Sequence, residues 1–421
     1  MAIVAFGGEC LSSGGNRQEG QRAYAKYYRD RKKMKRLGIF TSHPIPYHIL
    51  VYRELARRID LKVFFYSRFG VEKYFDPQFK KEISWDIPLL DGYQYVFLKN
   101  RSPGKNFSFW DFINFDILKV LKQEKFDAVL LNSWSYASDW IALFFCLFSR
   151  IPVLFRVENA YIHELQKPKW KIYLKKIVLG KFIFSFVNTF LYIGEQNRKF
   201  LRYYEVPERK LFPALYCIEN DRFANAYDRL CSKRRELRDK WDIPQDAVVI
   251  FSGGTKLSRK KRSMDLIRAF ADLPTDPKAV LVLIGEGELK EEARAYIKER
   301  KIRNIVFTGF VNYSEMPELY IASDILVLPS GAGETWGVVV NEAMCCRLPV
   351  IVSDLVGSGE DLVHNGENGF VFKCGDITEL TKNIQALVGD DNMRRRFGEK
   401  SFEIVKKYSC SAVAEAIEKA L

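Results

Sequence analysis

The amino-acid sequence predicts an α/β protein of two doubly wound, Rossmann-like domains whose parallel sheets face a deep cleft. Short apolar runs alternate with amphipathic stretches in the first half, a polar stretch follows, and the alternation restarts near Ala247. Such strand–helix–strand alternation favours parallel sheets covered by helices. The length of 421 residues suits two domains. Hydrophobic residues make up 48% of the chain and charged residues 28%, which excludes wholesale disorder.

The first predicted domain covers 34–215. Its opening strand "RLGIFTS" precedes the helical stretch "YHILVYRELARRI" and the strand "LKVFFYS". Further strands are "FDAVLLNS", "IPVLFRV" and "TFLYIGE", and "ASDWIALFFCLFSR" has the pattern of a buried helix between two of them. Residues 1–33 resemble neither a signal peptide nor a strand. We expect 1–33 to be a disordered extension, or Met34 to be the working start.

The second predicted domain covers 247–400 and follows a polar interdomain segment, 216–246, that is partly helical. Its predicted strands are "AVVIFSGG", "AVLVLIGEG", "NIVFTGF", "DILVLPS", "LPVIVSD" and "GFVFK". Amphipathic helices lie between them. Residues 401–421 include a last helix, from Ser411 to Leu421, that can pack at either domain, and packing back on the first is one possibility. Two facing sheets of this kind bind ligands in the cleft at the carboxyl ends of their strands.

Charge and cysteine usage limit the partners and the compartment. The net charge is +14, which indicates an anionic partner such as a nucleic acid, a phospholipid surface or a phosphorylated ligand. The eight cysteines form no Cys-x-x-Cys pair, so the sequence predicts neither a zinc site nor a disulfide framework. The absence of both patterns indicates that the protein resides in a reducing compartment. No apolar run approaches the roughly 20 residues that a membrane-spanning helix needs. We therefore expect a cytoplasmic protein, with peripheral contact to the inner face of the membrane as an option.

The stretch "FSGGTKLSRKKRSMDLIRAF" combines glycines, lysines and a helix start. Gly253 and Gly254 allow a sharp turn after a strand, and Lys256, Lys260 and Lys261 precede a helix that begins near Ser263. Free N–H groups and cationic side chains together favour phosphate oxygens. The spacing differs from that of a Walker loop, and a solvated basic loop is the alternative.

A second candidate is "GETWGVVVNEAMC", which has two glutamates eight positions apart. Glu334 belongs to a loop after the strand "DILVLPS", and Glu342 lies within the following helix, about two turns beyond that loop. A helix start suits a diphosphate, and carboxylates on either side of it can accept hydrogen bonds from sugar hydroxyls. The spacing therefore suits a nucleotide sugar, although most such pairs are ordinary surface acids.

These motifs together resemble the carboxyl-terminal domain of glycosyltransferase family 4, which has the GT-B fold. The stretch "PSGAGETWGVVVNEAMCCRLPVIVSDLVGSGEDLVHNGENGFVF" matches the Glu-x7-Glu motif of that family with its flanks. The glycine–lysine stretch matches its phosphate-binding strand–loop–helix, and "IVFTGFVNYSEMPELYIASDILVLPS" matches its middle strands. The resemblance covers roughly 36–420.

The resemblance implies a role for each matching position. Glu342 would hold the ribose hydroxyls and Glu334 the donor sugar, while Lys261 and Lys256 would bind the diphosphate. The family places an arginine directly after the loop glycine, so Lys256 departs from its pattern. Main-chain N–H groups around Trp336, Gly337 and Val338 would complete the phosphate site.

The same resemblance implies a retaining transfer from a nucleotide-diphosphate sugar to a glycan or lipid-linked acceptor. Glu334 and Lys261 are its implied catalytic residues, and the donor phosphate itself would assist deprotonation of the acceptor. No Asp-x-Asp pair is present, so we expect neither a metal nor a cofactor. The donor sugar, the nucleotide base and the acceptor stay open.

Acceptor-side candidates follow the strands of the first domain. They are His43, His48, Asn132, Arg156 and Glu158. Many relatives carry a histidine after a later strand of this domain, where it touches the donor sugar, but the corresponding stretch here is "LLNSWSYAS". Lone histidines near strand ends are more often packing or capping residues, which is the alternative for both histidines.

The stretch "KPKWKIYLKKIVLGK", residues 167–181, carries six lysines and no acid. Its interleaved apolar residues predict a basic amphipathic helix that can lie on anionic lipid, or a surface helix packed on the domain. Nucleic-acid binding has no recognised module here. Two rival functions stay open: a different enzyme on the same fold, an epimerase or a phosphorylase, and a non-catalytic binder of nucleotide sugars or polyanions.

Overall fold

The computed structural model describes most of the chain from residue 34 onward. The described residues are 34–71, 74–76, 81–83, 87–102, 107–253, 256–274, 278–284 and 287–421. The predictions for 1–33 and for Gly254 lie outside these residues.

The first domain is built on a seven-stranded sheet. The strands before the interdomain segment are β1 (Arg36–Thr41), β2 (Asp60–Phe65), β3 (Tyr74–Asp76), β4 (Lys81–Ile83), β5 (Gln94–Phe97), β6 (Ala128–Leu131), β7 (Val153–Phe155), β8 (Thr189–Tyr192) and β9 (Leu211–Pro213). The sheet has the order β5-β2-β1-β6-β7-β8-β9, and every neighbouring pair is parallel. β3 and β4 form a separate antiparallel pair.

Helices cover the faces of this sheet. They are α1 (Pro46–Ala56), α2 (Asp116–Glu124), α3 (Ala137–Phe148), α4 (Tyr161–Glu164), α5 (Lys169–Lys175) and α6 (Glu195–Tyr203). A π-helical stretch, Lys176–Ile183, continues α5. α1 begins at a proline, whose fixed φ and missing N–H suit the first turn of a helix.

The second domain is built on a six-stranded parallel sheet in the order β12-β11-β10-β13-β14-β15. Its strands are β10 (Val248–Ser252), β11 (Ala279–Ile284), β12 (Ile305–Gly309), β13 (Ile325–Leu328), β14 (Val350–Ser353) and β15 (Gly369–Phe372). Its helices are α9 (Ser263–Ala271), α10 (Lys290–Glu299), α11 (Met316–Ala322), α12 (Val338–Cys345), α13 (Gly359–Leu362), α14 (Ile377–Gly389) and α15 (Asp391–Val405). The predicted α/β class with two doubly wound sheets is confirmed.

The interdomain segment contains two helices, α7 (Asn220–Leu230) and α8 (Arg234–Lys240). Phe223 and Leu237 are buried in the same apolar cluster as strands β10 and β13, so both helices pack on the second domain. The last helix, α16 (Cys410–Ala420), instead buries Val413 and Ile417 among residues of α1 and β1 in the first domain. The chain thus crosses between the domains twice.

Strand order reverses once in each sheet. The first sheet runs away from β1 in both directions, through β2 and through β6, and the second runs likewise from β10 through β11 and β13. At such a reversal the neighbouring loops diverge and leave a crevice at the carboxyl ends of the strands. The loops after β1, β6 and β7 in the first domain and after β10 and β13 in the second carry most of the predicted site residues, so the topology brings the candidates of each domain together.

Candidate functional site

The two motifs of the second domain meet in one ion pair. The ammonium group of Lys261, from the loop after β10, contacts the Oε2 of Glu334, from the loop after β13. The Ser330 hydroxyl donates a further hydrogen bond of 3.0 Å to the same oxygen. Glu334 is buried, which excludes the alternative of an ordinary surface acid. The sequence placed both residues at one cleft, but their direct contact is a finding of the structure.

Electrostatics keep the Glu334 carboxyl ionised. Burial raises its pKa, but the charge of Lys261, its hydrogen bond and the charge of Lys260 outweigh burial and leave the pKa below the ordinary value. A buried carboxylate is therefore fixed beside two lysines. A diphosphate that approaches Lys261 would share this cation with Glu334.

Backbone contacts hold three loops of the second domain together. The Gly331 N–H donates to the Lys260 carbonyl at 2.8 Å, and the Gly357 N–H donates to the Glu334 carbonyl at 3.0 Å. A Cβ on Gly357 would lie 1.9 Å from the Thr335 carbonyl oxygen, so only glycine permits this approach. The loops after β10, β13 and β14 therefore form one rigid rim.

Helix α12 begins at Val338, directly behind this rim. Gly337 precedes it with φ +91, and a Cβ there would lie 2.9 Å from the Leu328 side chain. The first N–H groups of a helix have no partner inside it and carry partial positive charge. Gly253, at the end of β10, packs against Val339 in the first turn of α12. The predicted phosphate-binding backbone is thus assembled around this helix start.

The Trp336 side chain has a structural role besides its main-chain position. It is buried, donates from Nε1 to Asn341 at 2.8 Å and stacks on Tyr216 with the ring centroids 5.5 Å apart. A Cβ on Gly194 would lie 2.4 Å from its ring. Because Gly194 belongs to the first domain, the tryptophan packs the two domains against each other. Lys256 is half-buried farther along the loop after β10.

Glu342 lies in a different environment from Glu334. It is 1% exposed, and the Tyr320 hydroxyl donates to its Oε2 at 2.6 Å. The Tyr47 hydroxyl, from α1 of the first domain, donates to its Oε1 at 3.3 Å. Burial raises the pKa of the Glu342 carboxyl to about 7, since the two hydroxyl groups and the charge of Arg222 only partly compensate. The second glutamate is therefore also buried, contrary to the surface alternative.

A histidine that was not among the sequence candidates contacts the loop after β14, which belongs to the rim of the second domain. His163, on α4 of the first domain, bonds through Nε2 to the Leu355 carbonyl of the second domain at 2.9 Å. Burial lowers its pKa, and the charges of Lys260 and Glu334 act on the ring in opposite directions. The Leu355 carbonyl requires the proton on Nε2, so a neutral ring keeps Nδ1 as an acceptor. Its position five residues after the strand-end acid Glu158 in "VENAYIHE" is the signal that could have indicated it.

Four of the five acceptor-side candidates form one polar cluster, in which His48 and Arg156 are buried and Asn132 and Glu158 are partly buried. His48 Nε2 donates to Glu158 at 2.8 Å, and Arg156 donates to the same carboxylate oxygen at 3.2 Å. Burial raises the pKa of Glu158, but His48 and Arg156 outweigh it and lower the pKa overall. Asn132 donates to the Tyr52 hydroxyl at 2.6 Å. The structure thus brings residues from α1 and from the ends of β6 and β7 together.

Three buried atoms of this cluster have no hydrogen-bond partner among the described residues. They are His48 Nδ1, Asn132 Oδ1 and Arg156 Nε. Unpaired buried polar atoms are costly and uncommon, so a group of them at a cleft indicates a place for a polar ligand. A sugar or glycan offers hydroxyl groups that can both donate and accept.

His43 is separate from this cluster. Its Nδ1 is joined to the Ser42 hydroxyl at 2.9 Å, and its ring packs edge-on against Phe69 and Phe107. Burial and the charge of His48 lower its pKa to about 4. His43 therefore fits the packing alternative better than a ligand contact.

Among the described residues, no group of three or more His, Cys, Asp or Glu side chains could hold a metal ion. No helix there is both long and apolar enough to cross a membrane.

Comparisons with known proteins agree with this architecture. Residues 233–404 match the family model described as glycosyl transferases, group 1. An uncharacterized glycosyltransferase of Methanocaldococcus jannaschii is 24% identical over 309 residues, which are 72% of this chain and 75% of that protein. The N-acetyl-alpha-D-glucosaminyl L-malate synthase of Bacillus anthracis is 31% identical over 171 residues, 40% of this chain and 44% of that enzyme. This chain thus spans under half of the second relative.

Among solved structures, Anabaena HepE in complex with UDP and glucose is similar over 91% of this chain and 98% of its own, with a TM-score of 0.66 and 16% identity. At that identity the likeness shows the fold alone. The chain has the GT-B fold, and its second half is similar to group 1 glycosyltransferases.

Proposed function

We propose that this chain is a retaining glycosyltransferase of family 4 that moves a sugar from a nucleotide-diphosphate sugar to a glycan or lipid-linked acceptor. The observation that carries the proposal is the buried Lys261–Glu334 pair beside the start of α12, with His163 of the opposite domain bonded to the adjoining Leu355 carbonyl. A cation, helix N–H groups and a buried carboxylate at one cleft suit a diphosphate joined to a sugar.

The chemical task of the site is to stabilise a leaving nucleotide diphosphate. Negative charge grows on the leaving phosphate as the bond between the anomeric carbon of the sugar and the phosphate oxygen breaks and the acceptor oxygen forms the new glycosidic bond. Lys261, Lys256 and the N–H groups around Gly337 and Val338 would oppose that charge from fixed positions, which lowers the barrier more than it tightens substrate binding. Glu334 would orient the sugar and restrain Lys261. The reaction would then need neither a metal ion nor another cofactor.

The polar cluster around Glu158 would bind the acceptor side of the reaction. Its unpaired atoms on His48, Asn132 and Arg156 can pair with hydroxyl groups. Contacts between the domains, such as Tyr47 with Glu342 and His163 with Leu355, would exclude water and limit hydrolysis of the donor. The free thiols of the described cysteines support a reducing, cytoplasmic compartment.

The test has two stages. A thermal-shift screen against UDP-, GDP- and ADP-sugars should select one donor class, because a ligand that binds only the folded state raises Tm. The selected donor is then incubated with candidate glycan and lipid-linked acceptors, with and without EDTA. Transfer with retained anomeric configuration, unaffected by EDTA, supports the proposal. Donor binding with no transfer or hydrolysis would favour the non-catalytic binder.

A further inference from the structure

The segment 169–183 presents an apolar strip to solvent. Trp170 is 65% exposed and Tyr173 is 69% exposed. The other exposed apolar side chains of the strip are Leu174, Ile177, Val178 and Phe182. Most of these residues are three or four positions apart, so they share one side of the helix. Ile172, Leu179 and Ile183 are buried and fix the opposite side to the first domain.

Lysines border the strip. Lys169, Lys171 and Lys181 are exposed, and none of them forms an ion pair with another described residue. The Lys171 ammonium lies 5.4 Å from the centroid of the Trp170 ring. Two other lysines of the stretch, Lys167 and Lys175, are instead bound to the buried Glu164. The segment is thus anchored by one set of lysines and presents another to solvent.

We propose that the segment 169–183 docks this protein on a bilayer that contains anionic lipid. A contiguous group of exposed aromatic and aliphatic side chains on a folded protein indicates an interaction surface. Flanking lysines without acids match the negative surface potential of anionic lipid, and tryptophan and tyrosine suit the headgroup region. The strip would enter the boundary between headgroups and acyl chains while the lysines contact phosphates.

The anchored side of the segment adjoins the acceptor-side cluster. The Lys175 ammonium lies 5.3 Å from the Trp134 ring, and Trp134 Nε1 donates to Asn159 at 3.2 Å, next to Glu158. Docking would therefore hold the cleft of the first domain near the bilayer surface. This inference goes beyond the proposed function, because lipid binding needs no sugar transfer, and either can fail without the other.

Sedimentation with vesicles tests the proposal on the full chain. We expect binding to vesicles of phosphatidylcholine with about 30% phosphatidylglycerol, and much weaker binding to phosphatidylcholine alone. The charge reversals Lys171→Glu and Lys181→Glu together should weaken binding on the order of 25-fold or more, since each lysine near such a surface contributes roughly fivefold. Lys298→Glu with Lys382→Glu, on helices of the second domain, gives the same change of net charge and should leave binding unchanged.

Two further variants examine the apolar strip. Trp170→Ser with Tyr173→Ser should abolish the binding that remains at high salt, and both side chains are too exposed for their loss to unfold the domain. In Trp170→Phe, sedimentation should persist while much of the vesicle-induced blue shift of tryptophan emission disappears. Circular dichroism and Tm verify the fold of each variant.

Other occupants of this surface give different results. If Trp170→Ser with Tyr173→Ser converts a dimer into a monomer and the vesicles bind neither form, the strip is an interface between copies of this chain and the proposal is wrong. If the lysine reversals reduce binding to an RNA oligonucleotide and no vesicle is bound, the partner is a nucleic acid. Equal binding of neutral and anionic vesicles would also overturn the proposal that the segment docks on anionic lipid.

Discussion

The Tyr47 hydroxyl of the first domain donates a 3.3 Å hydrogen bond to Glu342 of the second domain. The carboxylate that the family resemblance assigns to the ribose is thus covered by a side chain from across the cleft. Tyr47 also packs edge-on against Tyr313, with the ring centroids 6.0 Å apart. If Glu342 binds ribose, the nucleotide must replace the Tyr47 hydroxyl.

Replacement of the Tyr47 hydroxyl by the ribose predicts that substitutions of Glu342 and of Tyr47 change nucleotide affinity in opposite directions. Glu342→Ala should weaken binding of the free nucleoside diphosphate by about 10- to 150-fold, because a hydrogen bond to a charged group contributes roughly 1.5–3 kcal/mol. Tyr47→Phe removes only the competing hydroxyl and should tighten binding up to about fivefold. Isothermal calorimetry with the nucleoside diphosphate chosen by the thermal-shift screen measures both. Unaltered affinity in Glu342→Ala would show that the carboxylate has a structural role only.

The raised pKa of Glu342 predicts a pH-dependent stability. Its folded pKa is about 7, above the ordinary 4.5, so its contribution to stability is complete below pH 4.5 and is lost as pH rises through 7. The Glu342→Gln variant has no titrating group at this position. The difference in Tm, this variant minus the unmodified protein, should therefore increase between about pH 5 and pH 8. The increase should be several degrees, which corresponds to about 3 kcal/mol of unfolding free energy. Glu367→Gln, at an exposed acid, is the control, and a constant Tm difference would contradict the assignment.

Periodicity and turn residues predicted most of the fold. The predicted helix "VVVNEAMC" and the predicted start near Ser263 agree with α12 and α9, because a glycine-rich loop follows a buried strand at both places. The sequence also predicted that the loops carrying the candidate residues lie at one cleft, because the carboxyl ends of parallel strands lie at the same edge of a sheet.

Contacts between the domains could not be predicted in this way. Tyr47 contacts Glu342, 295 positions away in the sequence, and His163 contacts Leu355, 192 positions away. No local sequence pattern predicts contacts over such separations. Burial of both glutamates also depends on how the loops close over them. Pattern alone therefore indicated the candidate site but not the cross-domain partners that set its electrostatics.

Lys261 should matter more for turnover than for binding. Lys261→Ala removes a cation whose attraction grows as the leaving phosphate gains charge, so kcat should fall about 10- to 1000-fold with a smaller change in KM. Steady-state kinetics with the selected donor measures the changes in kcat and KM separately. Lys298→Ala on α10 is the matched control, and unchanged kcat in a folded Lys261→Ala protein would remove Lys261 from the site.

Glu334 should affect the sugar and not the nucleotide. Glu334→Gln keeps the size of the side chain and a carbonyl oxygen for the Ser330 hydroxyl, but removes the charge beside Lys261. We expect near-normal affinity for the free nucleoside diphosphate with strongly reduced transfer. Nucleotide affinity and transfer that fall together would instead show that Glu334 only braces its loop.

His163 should position the donor sugar from the opposite domain. With Nε2–H bonded to the Leu355 carbonyl and its pKa lowered, the ring is neutral near pH 7 and its Nδ1 can accept a hydrogen bond from a sugar hydroxyl. His163→Ala should lower kcat about 2- to 10-fold for the sugar donor and leave the affinity for free nucleoside diphosphate unchanged, as a lost hydrogen bond between neutral groups of roughly 0.5–1.5 kcal/mol predicts. His163→Asn, which retains an acceptor and a donor, should recover part of that loss. If His163 serves only to close the domains, both variants should lower nucleotide affinity and kcat together, and the asparagine variant should recover neither.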